Sequence, residues 1–195
     1  MATLLYIHGF LSSPLSFKAR ATQRWLYQHR PDIEFLCPAL SSYPNEAVST
    51  LSDIMSARHG DTVYLIGSSL GGFWATWLME EYKAARAVLI NPAVAPHKFV
   101  APLIGEELKS YYSEQTFCLQ PTHIQDLKNC ECEALSRPKN YWLMVQTGDQ
   151  TLDYRHAIKK YSNCKQLVED GGDHSFQNYE KWLPQIIDFF ESKNS

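Results

Sequence analysis

Ser69 is the residue whose surroundings in this sequence most clearly favour chemistry. It lies in Gly67-Ser68-Ser69-Leu70-Gly71, which fits the pattern G-x-S-x-G. In that pattern the small flanking residues let a strand turn sharply into a helix, so that the serine hydroxyl stands clear of the sheet. Apolar runs flank the motif, and neither Pro nor a charged residue occurs between Thr62 and Met79. The sequence therefore predicts a buried strand, a strained turn with Ser69 at its apex, and a buried helix.

His174 and Asp149 are the candidate partners of this serine. A serine hydroxyl is a poor nucleophile at neutral pH, so it needs a base, an acid that orients the base, and donors for the oxyanion. His174 follows the last predicted strand in a glycine-flanked loop, and Asp149 follows the strand before it. The chain order Ser69, Asp149, His174 is that of α/β-hydrolases. We expect these residues to act as nucleophile, acid and base.

Two other carboxylates are close to these positions in the sequence. Asp153 follows the same strand as Asp149, but it begins the next predicted helix and is well placed to cap it. Asp173 directly precedes the histidine, where a carboxylate rarely reaches the ring nitrogen that faces away from the serine, so we interpret it as a turn residue. Asp149 is the preferred acid, and Asp153 remains the alternative.

Donors for the oxyanion are expected at two backbone positions. The N–H of Leu70 lies at the positive end of the helix after the serine, and the N–H of Phe10 follows the first strand. His8, just before that position, is interpreted as structural, with its side chain bonded to the backbone beneath the oxyanion loop.

Alternating strands and helices must position these residues. Short apolar runs predict strands at 4–7, 33–37, 63–66, 87–90, 141–146 and 165–168, and amphipathic spacing predicts helices between them and after the last. The first helix starts near Ser16, with Phe17, Ala21 and Trp25 on one face. The last begins around Leu183. This pattern predicts an α/β fold with a doubly wound, mostly parallel sheet of about six strands, whose carboxyl ends carry the site.

Residues 93–138 break the pattern, with scattered prolines and no clear period, and are predicted to be an insertion rather than a sheet element. We expect its apolar residues to pack over the strand ends as a small cap; the alternative is that they cover a face of the sheet. Residues 1–195 are expected to form one domain.

Composition limits the possible partners. With 195 residues, 45% of them hydrophobic, and a net charge of -3, the chain can bury a core but offers no basic surface for nucleic acid. No apolar stretch is long enough to span a bilayer, and the first residues show neither a charged leader nor a cleavage site. The odd count of five cysteines favours reduced thiols. We expect a cytoplasmic protein without a metal, although Cys130 and Cys132 lie close in sequence.

Taken together, these motifs resemble those of the small bacterial YqiA-type esterases of the α/β-hydrolase superfamily. The resemblance lies in the opening Leu-Leu-Tyr-Ile-His-Gly-Phe, in the serine motif continued by Gly72, in Asn91-Pro92, in Thr147-Gly148-Asp149 and in Gly171-Gly172 with His174. It implies the compact α/β-hydrolase fold, hydrolysis of carboxylic esters with Ser69, Asp149 and His174 as catalytic residues, and no cofactor. Leu11 stands where that family often has a polar residue.

Three functions remain open on the sequence. The preferred one is a serine esterase that acts on small-molecule esters of short acyl chains. The alternatives are a thioesterase acting on acyl-CoA and a non-catalytic binding protein that kept the fold, since a fold alone does not fix a function. The oligomeric state is not predicted.

Overall fold

The computed structural model describes residues 2–112 and 114–192, which are built from alternating strands and helices. The strands, in chain order, are β1 (Ala2–Ile7), β2 (Ile33–Leu36), β3 (Thr62–Ser68), β4 (Arg86–Ile90), β5 (Glu107–Lys109), β6 (Thr116–Cys118), β7 (Tyr141–Gln146) and β8 (Lys165–Glu169). The α-helices are α1 (Phe17–His29), α2 (Pro44–Ala57), α3 (Leu70–Glu81), α4 (Pro96–Val100), α5 (Pro121–Asn129), α6 (Tyr154–Lys160) and α7 (Leu183–Glu191). None of these helices is long and apolar enough to cross a membrane.

Six strands form one sheet in the order β2-β1-β3-β4-β7-β8, and every neighbouring pair in it is parallel. The register keeps the strand ends together, since Ile7 pairs with Gly67 and Ser68 pairs with Ile90. The carboxyl ends of the central strands therefore meet at one edge. The predicted six-stranded α/β sheet is confirmed.

The core has two layers because successive strand residues point to opposite faces. Leu5 belongs to a core cluster that includes buried residues of α2, α3 and α6, whereas Leu4 belongs to a second cluster that includes residues of α1 and α7. Helix α7 begins at Leu183, as its spacing predicts, and buries Ile186 and Phe190 against the second face. The sheet is thus covered on both sides and leaves its strand ends as the place for a site.

The segment 93–138 lies outside the main sheet but has structure of its own. Strands β5 and β6 pair antiparallel as a separate two-stranded sheet, so the expectation that the insertion carries no sheet element was wrong. Each strand has only three residues, which is too short to show an alternating pattern. Helix α5 buries Leu127 in the core layer beneath the sheet.

The predicted apolar face of α1 needs a correction at its first turn. Ala21 is buried and Trp25 packs against the core, but the side chain of Phe17 is 62% exposed. Phe17 is the first residue of the helix and lies at the edge of the cavity that contains Ser69. Spacing identified the face, but Phe17, its first predicted member, is exposed while Ala19 in the same turn is buried.

Candidate active site

Ser69 stands alone between the last residue of β3 and the first of α3. Its backbone has φ 55° and ψ -121°, a conformation that costs about 1–3 kcal/mol for a residue with a side chain. The surrounding structure holds it: the Ser69 N–H donates to Ile90 O at 3.0 Å, and its carbonyl accepts from Gly72 N–H at 2.9 Å. A Cβ at Gly71 would lie 1.9 Å from Ile7 O, so only glycine lets α3 begin this close to β1.

His174 lies between Ser69 and Asp149. Its Nε2 is 3.0 Å from Ser69 Oγ, and its Nδ1 is 2.8 Å from Asp149 Oδ2. Because the carboxylate can only accept, Nδ1 carries the proton and Nε2 is free to accept from the serine hydroxyl. The structure therefore brings the three predicted residues together in the arrangement of a Ser-His-Asp triad.

The surroundings of Asp149 keep its carboxylate ionised. Burial raises its pKa, since the side chain is only 1% exposed, but hydrogen bonds from His174 and from the N–H groups of Leu152 and Thr151 more than offset this and lower the pKa overall. The two backbone donors each lie 2.8 Å from Oδ1 and fix the carboxylate plane. A fixed negative charge here stabilises a positive charge on the imidazole.

The two competing carboxylates are engaged elsewhere. Asp153 caps α6 by accepting from the Arg155 N–H at 3.0 Å, and its hydrogen bonds to Arg155 lower its pKa to about 2. Asp173 Oδ2 accepts from Gln177 Nε2 at 2.9 Å within the turn that carries His174. Asp149 is the carboxylate that reaches His174.

Two free backbone donors adjoin Ser69. The N–H groups of Phe10 and Leu70 donate no hydrogen bond to any residue that the structure describes. Gly9 lies against the serine so closely that a Cβ there would be 3.2 Å from Ser69 Cβ. The predicted oxyanion loop, which carries Phe10, therefore lies beside Ser69, and the two N–H groups are free to bind a ligand.

His8 holds this loop from below. Its Nε2 accepts from Leu40 N–H at 3.1 Å, so Nδ1 carries the proton and donates to Gly9 O at 2.9 Å. Burial lowers its pKa, against the opposing effect of the Gly9 hydrogen bond. The neutral ring thus ties the oxyanion loop to the loop before α2, as the structural interpretation of His8 predicts.

The family follows from a match that covers almost the whole chain. The model of the family described as "Uncharacterised protein family (UPF0227)" matches residues 3–191. The chain belongs to UPF0227. This is the YqiA family that its motifs resemble, so that prediction is confirmed.

Solved structures similar to this UPF0227 chain have the α/β-hydrolase fold. A candidate hydrolase from Agrobacterium vitis S4 has a TM-score of 0.78 at 16% identity, covering 98% of this chain and 88% of its own. Est1E from Butyrivibrio proteoclasticus with ferulic acid bound has a TM-score of 0.74 at 15% identity, with 97% and 88% covered. The esterase domain of a Rhodothermus marinus protein gives 0.68 at 18%, with 95% and 84% covered. At these identities the likeness establishes the fold.

Two buried amides to which the sequence analysis assigned no role, Asn91 and Gln146, hold the loop of His174. Asn91 Nδ2 donates to the carbonyls of Asp173 and His174 at 3.0 and 3.1 Å. Gln146 Oε1 accepts from the N–H groups of Asp173 and Gln177 at 3.2 and 2.8 Å. Asn91 directly follows β4, and Gln146 is the last residue of β7. Their position at strand ends is the one sequence signal that could have indicated their role in holding the loop.

The insertion contacts the loop that carries Phe10. The ring of Phe10 meets those of Phe99 and Phe117 edge-on, with centroids 6.1 and 5.8 Å apart. The Tyr111 N–H donates to the carbonyl of Leu11, which has φ 59°, at 2.9 Å. A cavity of about 300 Å³ is lined by Ser69 and His174 and by Tyr111 and Tyr112 of the insertion, and a neighbouring cavity of about 670 Å³ shares Tyr112 with it.

The cysteine pair within the insertion, Cys130 and Cys132, belongs to no ligand cluster among the described residues. Burial is the main reason that the pKa of the Cys130 thiol is raised to about 11 and that the pKa of the Cys132 thiol is also raised. Thiols of this kind stay protonated at neutral pH. In residues 2–112 and 114–192, no group of three or more His, Cys, Asp and Glu side chains could hold a metal ion.

Proposed function

We propose that this UPF0227 protein is a serine esterase that hydrolyses carboxylic esters of short acyl chains through an acyl-enzyme intermediate. The observation that carries the proposal is the hydrogen-bonded chain from Ser69 Oγ through His174 to Asp149, at 3.0 and 2.8 Å. The fold neighbours named as a hydrolase and as an esterase domain support the same class of reaction.

In the first half-reaction Ser69 Oγ attacks the ester carbonyl carbon. Its proton passes to His174 Nε2, and the negative charge of Asp149 stabilises the imidazolium that forms. The developing oxyanion accepts hydrogen bonds from the N–H groups of Phe10 and Leu70, each worth about 3–4 kcal/mol of barrier. The tetrahedral intermediate then collapses, the bond to the leaving oxygen breaks, and His174 gives its proton to the departing alcohol.

The second half-reaction repeats these steps with water. His174 Nε2 takes a proton from a water molecule as its oxygen attacks the acyl carbon of the ester on Ser69. The same two N–H groups bind the oxyanion. Collapse breaks the bond to Ser69 Oγ, which recovers its proton from His174, and releases the carboxylic acid.

The size of the cavity supports small substrates. Its volume of about 300 Å³ lies at the low end of the range for ligand pockets. We propose that segment 93–138 acts as a partial cap within the single domain, because Phe99, Tyr111 and Phe117 contact the oxyanion loop. Such a cap leaves room for short acyl chains and excludes long lipid chains.

The proposal is tested by turnover of a panel of esters and acyl-CoA thioesters. We expect wild-type protein to hydrolyse p-nitrophenyl acetate and butyrate, and Ser69→Ala to lose at least about 10⁴-fold in kcat because no other group replaces the nucleophile. A Ser68→Ala variant controls for removal of a neighbouring hydroxyl. Substantial turnover by folded Ser69→Ala, or none by the wild type, would overturn the proposal.

A cytoplasmic location is part of the same proposal. The five cysteines are unpaired in the structure, and burial raises the pKa of the Cys37 thiol to about 12. Such thiols persist most readily in a reducing compartment. Cell fractionation tests this, and recovery of the protein in a periplasmic or secreted fraction would contradict it.

A further inference from the structure

Lys18 brings a positive charge into the cavity that contains Ser69. It is the second residue of α1, and its Nζ donates to the carbonyl of Ser175, one residue after His174, at 2.7 Å. Among the described residues no carboxylate forms an ion pair with this ammonium, and neither Asp nor Glu lines the cavity. The cavity beside the nucleophile therefore contains a cation and no matching anion.

The environment of Lys18 disfavours its charge. Burial lowers the pKa of its ammonium to about 8, against the more distant attraction of Asp173 and Asp149. The group still carries its charge in most molecules at neutral pH. Because a partly desolvated cation is stabilised by an opposite charge at short range, a bound anion recovers free energy that the protein alone leaves unrealised.

Ser16 supplies a second unused polar group in the same cavity. Its Oγ is buried and has no hydrogen-bond partner among the residues that the structure describes. Ser16 occupies the N-cap position of α1, where a serine usually accepts from a backbone N–H, yet no such bond is formed. A buried hydroxyl without a partner is unfavourable unless a ligand supplies one.

We propose that Lys18 and Ser16 bind a carboxylate carried by the substrate, so that the enzyme prefers small esters with a free carboxylate over neutral esters of the same shape. Lys18 is then a specificity residue, with Ser16 Oγ donating to the same anion. The inference rests on the proposed esterase function and names its substrate class.

A carboxylate fits these groups better than a phosphate does. One ammonium balances one negative charge, whereas a phosphate carries close to two and needs more donors than this pair provides. The cavity of about 300 Å³ also favours a compact acid. Lys18 also has a competing role as a tether for the His174 loop through its bond to Ser175 O. The experiment must separate the two.

The experiment compares kcat/KM for esters that differ only in charge. Monomethyl succinate is paired with methyl isocaproate to place the carboxylate on the acyl side, and acetoxyacetate with isobutyl acetate to place it on the alcohol side. In each pair an isopropyl group replaces the carboxylate. The variants are Lys18→Met, Lys18→Gln and Ser16→Ala. The matched control is Arg20→Met, which removes the same charge from an exposed position on α1.

We expect wild-type protein to prefer the anionic member of at least one pair, and Lys18→Met to reduce that preference about 10-fold or more. Ser16→Ala should reduce the preference for the anionic ester about 3-fold or more. Because this change is small, it tests the inference even if the lysine variants fail to fold. Arg20→Met should leave it within about 2-fold of the wild-type ratio, because an exposed charge is screened by water. In the Ser69→Ala background, adding Lys18→Met or Ser16→Ala should also weaken the binding of succinate, measured by calorimetry.

Three outcomes would overturn the inference. A wild type that hydrolyses the neutral esters as well as the anionic ones would show no charge preference to explain. An equal fall for both members of each pair in Lys18→Met would identify the lysine as a tether. Preference lost equally in Arg20→Met would indicate a long-range effect of net charge. If no ester of any kind were hydrolysed, the proposed function itself would fail instead.

Discussion

The strand-end frame and the insertion hold the site in different ways. The frame consists of Ser69, Asp149 and His174 with the amides of Asn91 and Gln146, and its members are joined by hydrogen bonds of 2.8–3.1 Å. The insertion, residues 93–138, meets the oxyanion loop through ring contacts and the bond from Tyr111 to Leu11. Changes in the frame should therefore lower kcat, whereas changes in the insertion should alter the choice of substrate.

The largest effect should come from the acid of the frame. Asp149→Asn should lower kcat about 10⁴-fold, because an amide favours the wrong tautomer of His174 and removes the charge that stabilises the imidazolium. Steady-state kinetics measures this. Asp153→Asn is the matched control and should change kcat less than about 3-fold, since it affects only the cap of α6 and the surface ion pair with Arg155. The reverse ranking would assign the acid role to Asp153.

The next largest effect should come from Gln146. Gln146→Leu keeps the volume but leaves the N–H groups of Asp173 and Gln177 without their acceptor, so the His174 loop loses its support. We expect kcat to fall about 10- to 100-fold with a smaller change in KM. Gln166→Leu is the control: it removes bonds to Ile158 O and Tyr161 O, away from the loop, and should lower only stability. Equal kcat losses in both would mean general destabilisation.

A change in the insertion should move selectivity instead. Tyr112 lines both cavities and is 45% exposed, so Tyr112→Ser should widen the site without disturbing the fold. We expect the ratio of kcat/KM for hexanoate over acetate esters to rise several-fold. This is less than the roughly 10-fold change in selectivity that a single methylene gives in a closed apolar pocket. Tyr27→Ser, at a position 82% exposed on α1, is the control. An unchanged ratio would make the insertion structural and remove the contrast with the frame.

The smallest effect concerns His8, which ties the predicted oxyanion loop to the loop before α2. Burial lowers its pKa below the unfolded value of about 6.5, so the unfolded chain binds the proton more readily. The contribution of neutral His8 to the free energy of unfolding is therefore complete above about pH 6.5 and is lost as the pH falls below that value. Between about pH 7.5 and about pH 5.5, the free energy of unfolding measured in urea should fall less for His8→Gln than for the wild type. Exposed His59→Gln should behave like the wild type.

The residues of the frame could be found from sequence because local and topological rules place them. The turn at Ser69 requires small neighbours within two residues, and Asp149 and His174 follow predicted strands, so parallel pairing brings them together. Asn91 and Gln146 could not be assigned roles, because a buried amide shows its partners only in three dimensions. The hairpin of β5 and β6 escaped prediction because its strands are too short to show a pattern.

The nucleophilic role of Ser69 is tested most directly by covalent labelling with a fluorophosphonate. Intact-mass and peptide mass spectrometry of the labelled wild type should show a single adduct, located on Ser69. The adduct should be absent in Ser69→Ala and form far more slowly in Asp149→Asn, because the hydroxyl reacts only when His174 accepts its proton. A folded wild-type protein that remains unlabelled, or one labelled at another serine, would contradict the account.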